Sequence, residues 1–298
     1  MKAKAFEVKS ILIPIDFSET SMLAIEHAAF MAKLFKADVA LLHIMEKNWE
    51  SFSIVAPEIV IENQSSVTDK IEKKLKEVAG GISKKYGIKV STTIANGNIY
   101  SEISSFCSEK KVDVIVMGTH GASGFEEFFI GSNTYKVVTQ SDCPVISVQT
   151  HASKVGFSNI VLPIDNSLHS RQKVGIAVEM AKRYASKIHV VGLLEEDSNA
   201  SDLKKFEIKM DQINKYLKHE NVIHSSQVLK GKNPAKLTLE YAQKVKADLI
   251  VIMTDQEEDI TGLFIGPYAQ QIVNHSKTPI MSIKPNVNPD LIESVHPY

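Results

Sequence analysis

Ser10-Ile11-Leu12-Ile13-Pro14-Ile15-Asp16 returns 149 residues later as Asn159-Ile160-Val161-Leu162-Pro163-Ile164-Asp165, with four of seven positions identical and two more exchanged among aliphatics. Further on, Lys111-Val112-Asp113-Val114-Ile115-Val116 returns as Lys246-Ala247-Asp248-Leu249-Ile250-Val251, and Phe129-Ile130-Gly131 as Phe264-Ile265-Gly266. Here the offset is 135, and it holds without a gap to Pro144 and Pro279. A period this long is a whole domain, far above the roughly 20 to 50 residues of a solenoid unit. The chain reads as two copies of one domain, 1–152 and 153–298, joined near His151 to Phe157.

Inside each copy, short runs of Val, Ile and Leu alternate with amphipathic stretches. In the first copy the pattern predicts strands near 10–16, 38–44, 89–95, 113–118 and 143–148, and helices near 19–35, 65–86, 100–110 and 131–140. Met22, Ile25, Ala28, Ala29 and Ala32 recur at helical spacing on the first helix, Ser18 suits its N-cap, and Glu19 suits its positive end. Strands that are apolar throughout are buried on both faces, the mark of a parallel sheet with helices on either side. The two offsets differ because the first copy carries a longer connection, Met45 to Ser66, holding Trp49, Phe52 and Pro57. A connection of this length reads either as a ligand lid or partner contact, or as a passive surface loop.

Composition narrows the function. The chain has 298 residues, 34 Lys+Arg against 35 Asp+Glu, and a formal net charge of -1, so nothing in its charge draws it to nucleic acid or an anionic membrane. Two cysteines, Cys107 and Cys143, form neither a disulfide framework nor a zinc spacing, and a reducing cytoplasm is the expected location. The apolar run after Lys2, Lys4 and Lys9 is too short for a signal peptide, and no stretch reaches membrane-helix length.

In an open parallel sheet the ligand crevice lies beyond the carboxyl ends of the strands, where the winding reverses. Asp16 closes the first strand there. Gly118-Thr119-His120-Gly121 closes the fourth, and Gly131-Ser132-Asn133-Thr134 opens the next helix, in the spacing Gly-x2-Gly-x9-Gly-Ser. Glycine lets backbone N–H groups approach an anion, and a helix start adds unpaired donors and a positive partial charge. Gly-x2-Gly alone would mark only a turn; with the third glycine, Ser132 and Thr134, the pattern points to phosphate binding. For Asp16 two readings stay open, a cap for the first helix and an acceptor for ribose hydroxyls.

Pro14-Ile15-Asp16-Phe17-Ser18, Leu41-Leu42-His43-Ile44, Val116-Met117-Gly118-Thr119-His120-Gly121, Gly131-Ser132 and Cys143-Pro144-Val145 together resemble the universal stress protein family, over nearly the whole chain as a tandem of two domains. The resemblance implies a Rossmann-like, adenine nucleotide alpha hydrolase-like sheet of five parallel strands in the order 3-2-1-4-5 in each copy, with ATP or a related adenine nucleotide, with or without Mg, in the crevice. Carried over, Ile15 and Ile44 would flank the adenine or hydrogen-bond it through backbone groups, Asp16 would meet the ribose, and Pro14 belongs to the same nucleotide site. Gly118, Gly121, Gly131, Ser132, Asn133 and Thr134 would hold the phosphates, with Met117 and His120 also in the nucleotide site. Ala122 stands where the family carries a long polar or basic side chain. The family also pairs the fifth strand with that of a second domain, so Pro279 to Ile283 would pair with Pro144 to Val148 in an intramolecular pseudo-dimer, itself open to homodimer formation.

The second copy departs from the pattern. Met253, Gln256 and Pro267 replace Gly118, Gly121 and Ser132, while Asp255, Glu257, Glu258 and Asp259 crowd the loop. Side chains fill the place of the backbone, proline lacks a donor and carboxylates repel phosphate, so no nucleotide is expected there. Asp165 and Gly266 persist, both explicable by capping and a turn. His43 reads as a core histidine; His219 and His224 have no partner at metal spacing; Cys143 reads as the start of a buried strand. No nucleophile with a general base is visible, and Phe17-Ser18-Glu19 stands where related ATP pyrophosphatases carry Ser-Gly-Gly. The expectation is a nucleotide-binding stress-response module and not an enzyme, with a slow ATPase or adenylate-transfer enzyme and a nucleotide-free scaffold as alternatives.

Overall fold

The computed structural model describes residues 6–46, 57–119, 130–167, 169–254, 256–259 and 262–285; the side chains of 57–66 and 256–264 fall outside the description. The first copy runs β1 (Ser10–Pro14), α1 (Glu19–Phe35), β2 (Asp38–Met45), α2 (Pro57–Tyr86), β3 (Val90–Asn96), α3 (Ile99–Lys110), β4 (Val114–Gly118), α4 (Ser132–Gln140) and β5 (Val145–Val148). The second runs β6 (Asn159–Ile164), a 3-10 turn (His169–Arg171), α5 (Lys173–Tyr184), β7 (Lys187–Leu194), α6 (Ala200–His219), β8 (His224–Lys230), α7 (Pro234–Lys244), β9 (Leu249–Met253), β10 (Gln256–Asp259), β11 (Gly262–Ile265), α8 (Pro267–His275) and β12 (Ile280–Ile283).

Ten strands form one continuous sheet, β3-β2-β1-β4-β5-β12-β9-β6-β7-β8. Each half has the order 3-2-1-4-5 with parallel neighbours. The halves meet where β5 and β12 pair antiparallel, Ile146 facing Met281 and Ser147 facing Ile280. Ile146 and Met281 are equivalents under the 135-residue offset, so the seam is self-complementary, as in a two-fold dimer. Both of these strands are buried along their whole length. Alternate strand residues feed two cores: Ile11, Ile13, Leu41 and Val116 pack with α1, α2, α5 and α6, whereas Leu12, Leu42, Ile115 and Met117 pack with α3, α4, α7 and α8. Each fully buried aliphatic chain contributes about 1.5–3 kcal/mol, so burial on both faces dominates the stability.

Three expectations need correction. The edge strands β3 and β8 are half-exposed and polar on one face, because nothing covers an outer strand as it does a central one. The expected connection from Met45 to Ser66 is helical from Pro57 onward, with Trp49 and Phe52 outside the described residues. On α1, Ala24, Ile25, Ala28, Ala29 and Ala32 face the core, but Met22 is 38% exposed, one step off the apolar stripe.

The repeated Lys-x-Asp has a shared task. Asp113 Oδ2 accepts from the backbone N–H groups of Lys9 and Ser10 at 2.7 and 2.9 Å, and Asp248 Oδ2 does the same for Ser158 and Asn159 at 2.9 and 3.0 Å. In each copy this carboxylate clips the start of the first strand to the fourth. The preceding Lys111 and Lys246 take left-handed backbone angles (φ 51° and 52°) to make the turn.

Candidate functional site

The winding reverses between β1 and β4, which pair directly, and β2 lies on the other side of β1. This arrangement brings Pro14, Ile15 and Asp16, Ile44, and Met117 and Gly118 to neighbouring strand ends. The start of α4, with Gly131, Ser132, Asn133 and Thr134, is tied to the same place: Thr134 Oγ1 donates to Gly118 O at 3.0 Å, and Gly131 N–H donates to Thr119 O at 2.8 Å. His120, Gly121 and Ala122 lie outside the described residues.

These bonds change what each residue can offer. Thr134 is buried with its hydroxyl engaged, so it positions the helix and presents no hydroxyl to a phosphate. The Gly131 N–H is likewise engaged. Gly118 has a structural reason of its own: a Cβ there would come within 2.9 Å of the Thr20 backbone carbonyl carbon, so glycine is what allows the first turn of α1 to rest on β4. Met117 is buried in the sheet, and its side chain belongs to the core. Ile15 N–H donates to Leu42 O at 2.9 Å, and Ile15 O accepts from His43 Nδ1 at 2.7 Å, which leaves an apolar wall and a carbonyl lone pair for a base. Pro14 and Ile44 are half-buried at their strand ends.

At the rim of the crevice stand Asp16 and the amino end of α4. Asp16 is exposed, and its Oδ1 accepts from Ser18 N–H at 3.0 Å and Ser18 Oγ at 2.6 Å. Ser18 itself is the N-cap, accepting from Ser21 N–H at 3.2 Å, so Asp16 steadies the cap from outside the helix. At α4, Gly131 occupies the N-cap without a side-chain bond, the first turn carries no acid, Ser132 is exposed and Asn133 half-buried. The amino end of this helix thus presents first-turn donors and a positive partial charge without a capping side chain.

Sequence reasoning missed the aromatic corner beside Asp16. Phe17 adopts φ +65°, a left-handed conformation costing about 1–2 kcal/mol for a side chain of this kind. Its ring lies 5.2 Å from that of His43, with Lys74 Nζ 4.3 Å above it. His43, expected as a core histidine, is half-buried at the rim, with Nδ1 on Ile15 O. Positive φ on a bulky residue has no sequence signal, and Lys74 reads as one of many surface lysines on α2.

The crevice of the second copy is built differently. Its loop is a hairpin, β10–β11, where the sequence pattern predicted only an acid-rich loop; the side chains of Glu257, Glu258 and Asp259 fall outside the description, as does Asp255 altogether. Asp165 accepts from Ser167 N–H at 2.8 Å, and its own N–H donates to Ser170 Oγ at 2.9 Å. Burial by itself would raise the Asp165 pKa, but the cation of Lys173, a buried side chain, and bonds from Ser167 and Ser170 hold it below its ordinary value. Lys209 Nζ reaches across to Asp165 O at 2.9 Å and Ser167 O at 3.2 Å. Beyond lies a 560 Å³ cleft whose wall includes Asp165, Glu195, Asp197, Asp202 and Tyr268, an acidic surround for any polyphosphate. Gly266 serves as the N-cap of α8, and Pro267 opens that helix at a position needing no N–H.

Among the described residues no group of His, Cys, Asp and Glu is arranged to hold a metal ion, and no helix is long and apolar enough to cross a membrane. His219 Nδ1 meets Glu220 at 3.2 Å, and His224 Nδ1 donates to Val222 O at 2.9 Å.

This fold, with crevices at the switch points of two duplicated sheets, defines a tandem α/β protein of the open, doubly wound type. A profile of the universal stress protein family matches residues 7–149 and again 156–284, and the chain belongs to that family. Two universal stress proteins of Methanocaldococcus jannaschii are similar to it, one 34% identical over 151 residues (47% of this chain, 82% of the relative) and one 31% identical over 153 residues (47% and 94%). A crystal structure of a universal stress protein from Archaeoglobus fulgidus, 20% identical, matches its fold with a TM-score of 0.74 over 94% of this chain and 99% of the other.

Proposed function

We propose that the first copy binds an adenine nucleotide, ATP with or without Mg, and that the chain acts in stress response as a nucleotide-dependent interaction module, without catalysing a reaction of its own. The observation that carries this reading is the amino end of α4, which like α8 has no capping side chain and no acid in its first turn but opens with the exposed Ser132 where α8 opens with Pro267, and which is tied to the switch point beside exposed Asp16. In this reading the phosphates meet the first-turn N–H groups and Ser132, Asp16 accepts from the ribose hydroxyls, and the base lies against Ile15, Ile44 and Phe17. The second copy takes no nucleotide, since its crevice wall is acidic. Its part is to cover β5, which would otherwise be an exposed apolar edge. The hydroxyl bonded to Asp16, Ser18 Oγ, is committed to capping α1, which favours binding over turnover.

Mass spectrometry of ligand released from denatured purified protein is the direct test. ATP supports the reading, ADP or AMP points to a slow hydrolase or adenylate-transfer enzyme, and a protein that neither carries nor binds nucleotide in calorimetry is a scaffold.

A further inference from the structure

Three side chains near the amino ends of β6, β7 and β8 line up across the sheet, at the opposite end of the strands from the crevices. His189 Nδ1 lies 3.1 Å from Ser225 Oγ, and His189 Nε2 lies 3.1 Å from Asn159 Oδ1. The strand register sets His189 directly beside Ser225. Asn159 is fixed through its backbone, its N–H donating to Asp248 Oδ2 at 3.0 Å and its O accepting from Asp248 N–H at 2.9 Å. The imidazole is buried, with the ring of Tyr241 from α7 edge-on at 6.4 Å. An amide oxygen only accepts, so Nε2 carries the ring hydrogen and Nδ1 is the acceptor for the Ser225 hydroxyl. Burial, helped by Lys187, lowers the His189 pKa and favours that neutral form. In the first copy Ser10, Ala40 and Ser91 stand in the places of Asn159, His189 and Ser225, and Ser91 Oγ turns instead to Val39 O at 3.3 Å. The arrangement therefore belongs to the second copy and was not carried along with the fold.

We propose that Ser225 is an acyl-accepting modification site, a serine made nucleophilic by His189 and taking the acyl group of an activated carboxylic ester. Nucleophile, base and orienting group stand in hydrogen-bond sequence, the arrangement that activates a serine hydroxyl. Ser225 Oγ attacks the ester carbonyl carbon as its proton passes to His189 Nδ1. The bond from that carbon to the alcohol oxygen then breaks, and the departing oxygen takes the proton from Nδ1. One ester and one serine become one acyl-serine and one alcohol, and His189 ends neutral as it began. Asn159 is a positioning residue, holding Nε2–H and so keeping Nδ1 turned to the hydroxyl. The site is open to an incoming ester: β8 is the terminal strand of the sheet, Ser225 is half-buried, and Ser226 and Gln227 next to it are exposed. The outer edge of β8 has no neighbouring strand among the described residues, so its outward N–H groups can donate to the carbonyl oxygen as charge develops there.

The test treats the full chain with p-nitrophenyl acetate and follows acetylation of each serine over time by peptide mass spectrometry. Ser91 is an internal control, since it occupies the matching strand position without a histidine and is the more exposed of the two. Acetyl should appear on Ser225 well before Ser91, and it should disappear in Ser225→Ala. In His189→Gln the acetylation of Ser225 should slow by about a hundredfold or more, the usual contribution of a general base. Asn159→Asp, which keeps an acceptor for Nε2–H, should retain the labelling that Asn159→Ala loses. Acetylation of Ser225 no faster than that of Ser91, or an unchanged rate in a folded His189→Gln protein, would overturn the proposal. The two serines are compared within the wild-type chain, so that measurement decides even if a variant fails to fold.

Discussion

The crevices after β1 and β6 descend from one plan and now differ in how their polar groups are used. In the first, α1 begins at Glu19, Gly118 lets that turn lie on β4, Phe17 is held at positive φ, and α4 opens with Ser132 where the second copy's helix opens with Pro267. In the second, Met253 stands at the glycine position, the helix start has retreated to Lys173 behind a 3-10 turn, and Asp165 is surrounded by Ser167, Ser170, Lys173 and Lys209. Asn166, at the position of Phe17 and far better suited to left-handed angles, does not adopt them. The first crevice thus keeps a strained Phe17 and an exposed Asp16 beside a helix that opens with a hydroxyl, while in the second Asp165 is held by its own neighbours and the helix opens with proline. Reassigned hydrogen bonds and a shifted helix start are what separate the two copies of the duplicated domain.

The largest effect should come from exchanging the residue that separates the two helix starts. Gly118→Met places a Cβ against Thr20 backbone and side-chain atoms at 2.8 to 2.9 Å, and the chain cannot yield without moving α1. A loss of about 2–4 kcal/mol is expected, as for overpacking at a rigid backbone contact. Urea unfolding measures it, and a cost under about 1 kcal/mol would mean that α1 can adopt the retracted start of α5 freely.

Next is the pair of aspartates. Asp165→Asn removes the carboxylate that compensates the buried cation of Lys173 and should cost about 2–3 kcal/mol, whereas Asp16→Asn, at an exposed site, should cost less than about 0.5 kcal/mol. The sign of the pH effect follows from the lowered pKa. Asp165 contributes its stability above the ordinary carboxylate value of 3.8, and loses it as pH falls through its lower folded value. Equal costs at the two positions in parallel melts would erase the distinction between the crevices.

A nucleotide titration sharpens the same contrast. One ATP per chain is expected, with the second crevice weaker by more than about a hundredfold, since lost donors and like charge together exceed about 2.8 kcal/mol. Ser132→Asp adds an acid where α4 has none. It should stabilise the helix by a few tenths of a kcal/mol while weakening ATP by about tenfold. Calorimetry showing two equivalent sites, or a Ser132→Asp protein with undiminished affinity, would remove the first crevice from the proposed function.

The sequence pattern made the class of fold legible because the evidence was periodic and repeated: apolar runs, their recurrence at 149 and 135, and Ser18 ahead of an amphipathic stretch that begins as a helix at Glu19. The crevice was only partly legible. Residue type identified Gly118, Gly131 and Thr134, but not that Gly118 makes room for Thr20 or that the other two hold α4 to the strand end. Those assignments depend on which atom lies opposite, a tertiary fact with no local signature. The Phe17 geometry and the β10–β11 hairpin were hidden for the same reason.

The smallest effect concerns the seam that joins the two copies. His27 of α1 is buried there, stacked 5.5 Å from Phe157, and its Nε2–H donates to Ala152 O at 2.9 Å, while Nδ1 has no partner among the described residues. The position equivalent to His27 under the 149-residue offset is Ile176, so the two halves present different chemistry to the seam. Protonation would add a charge at an atom with no acceptor, and burial accordingly lowers the His27 pKa from 6.5, against weaker raising effects of the Ala152 carbonyl, Asp248 and Glu26. In the unfolded chain the imidazole binds a proton more readily. The contribution of His27 is therefore complete above pH 6.5 and is lost as pH falls from there toward its lower folded value. His189, also lowered by burial and by Lys187, acts in the same direction, so the slope will not vanish when His27 is replaced. His27→Ile should give the seam the residue its twin already carries, giving up one hydrogen bond for apolar contact, with a net change within about 1 kcal/mol at neutral pH. The discriminating quantity is the slope: the melting midpoint of wild type should fall more steeply below pH 6.5 than that of His27→Ile, and parallel curves would show that folding leaves the proton affinity of the imidazole unchanged.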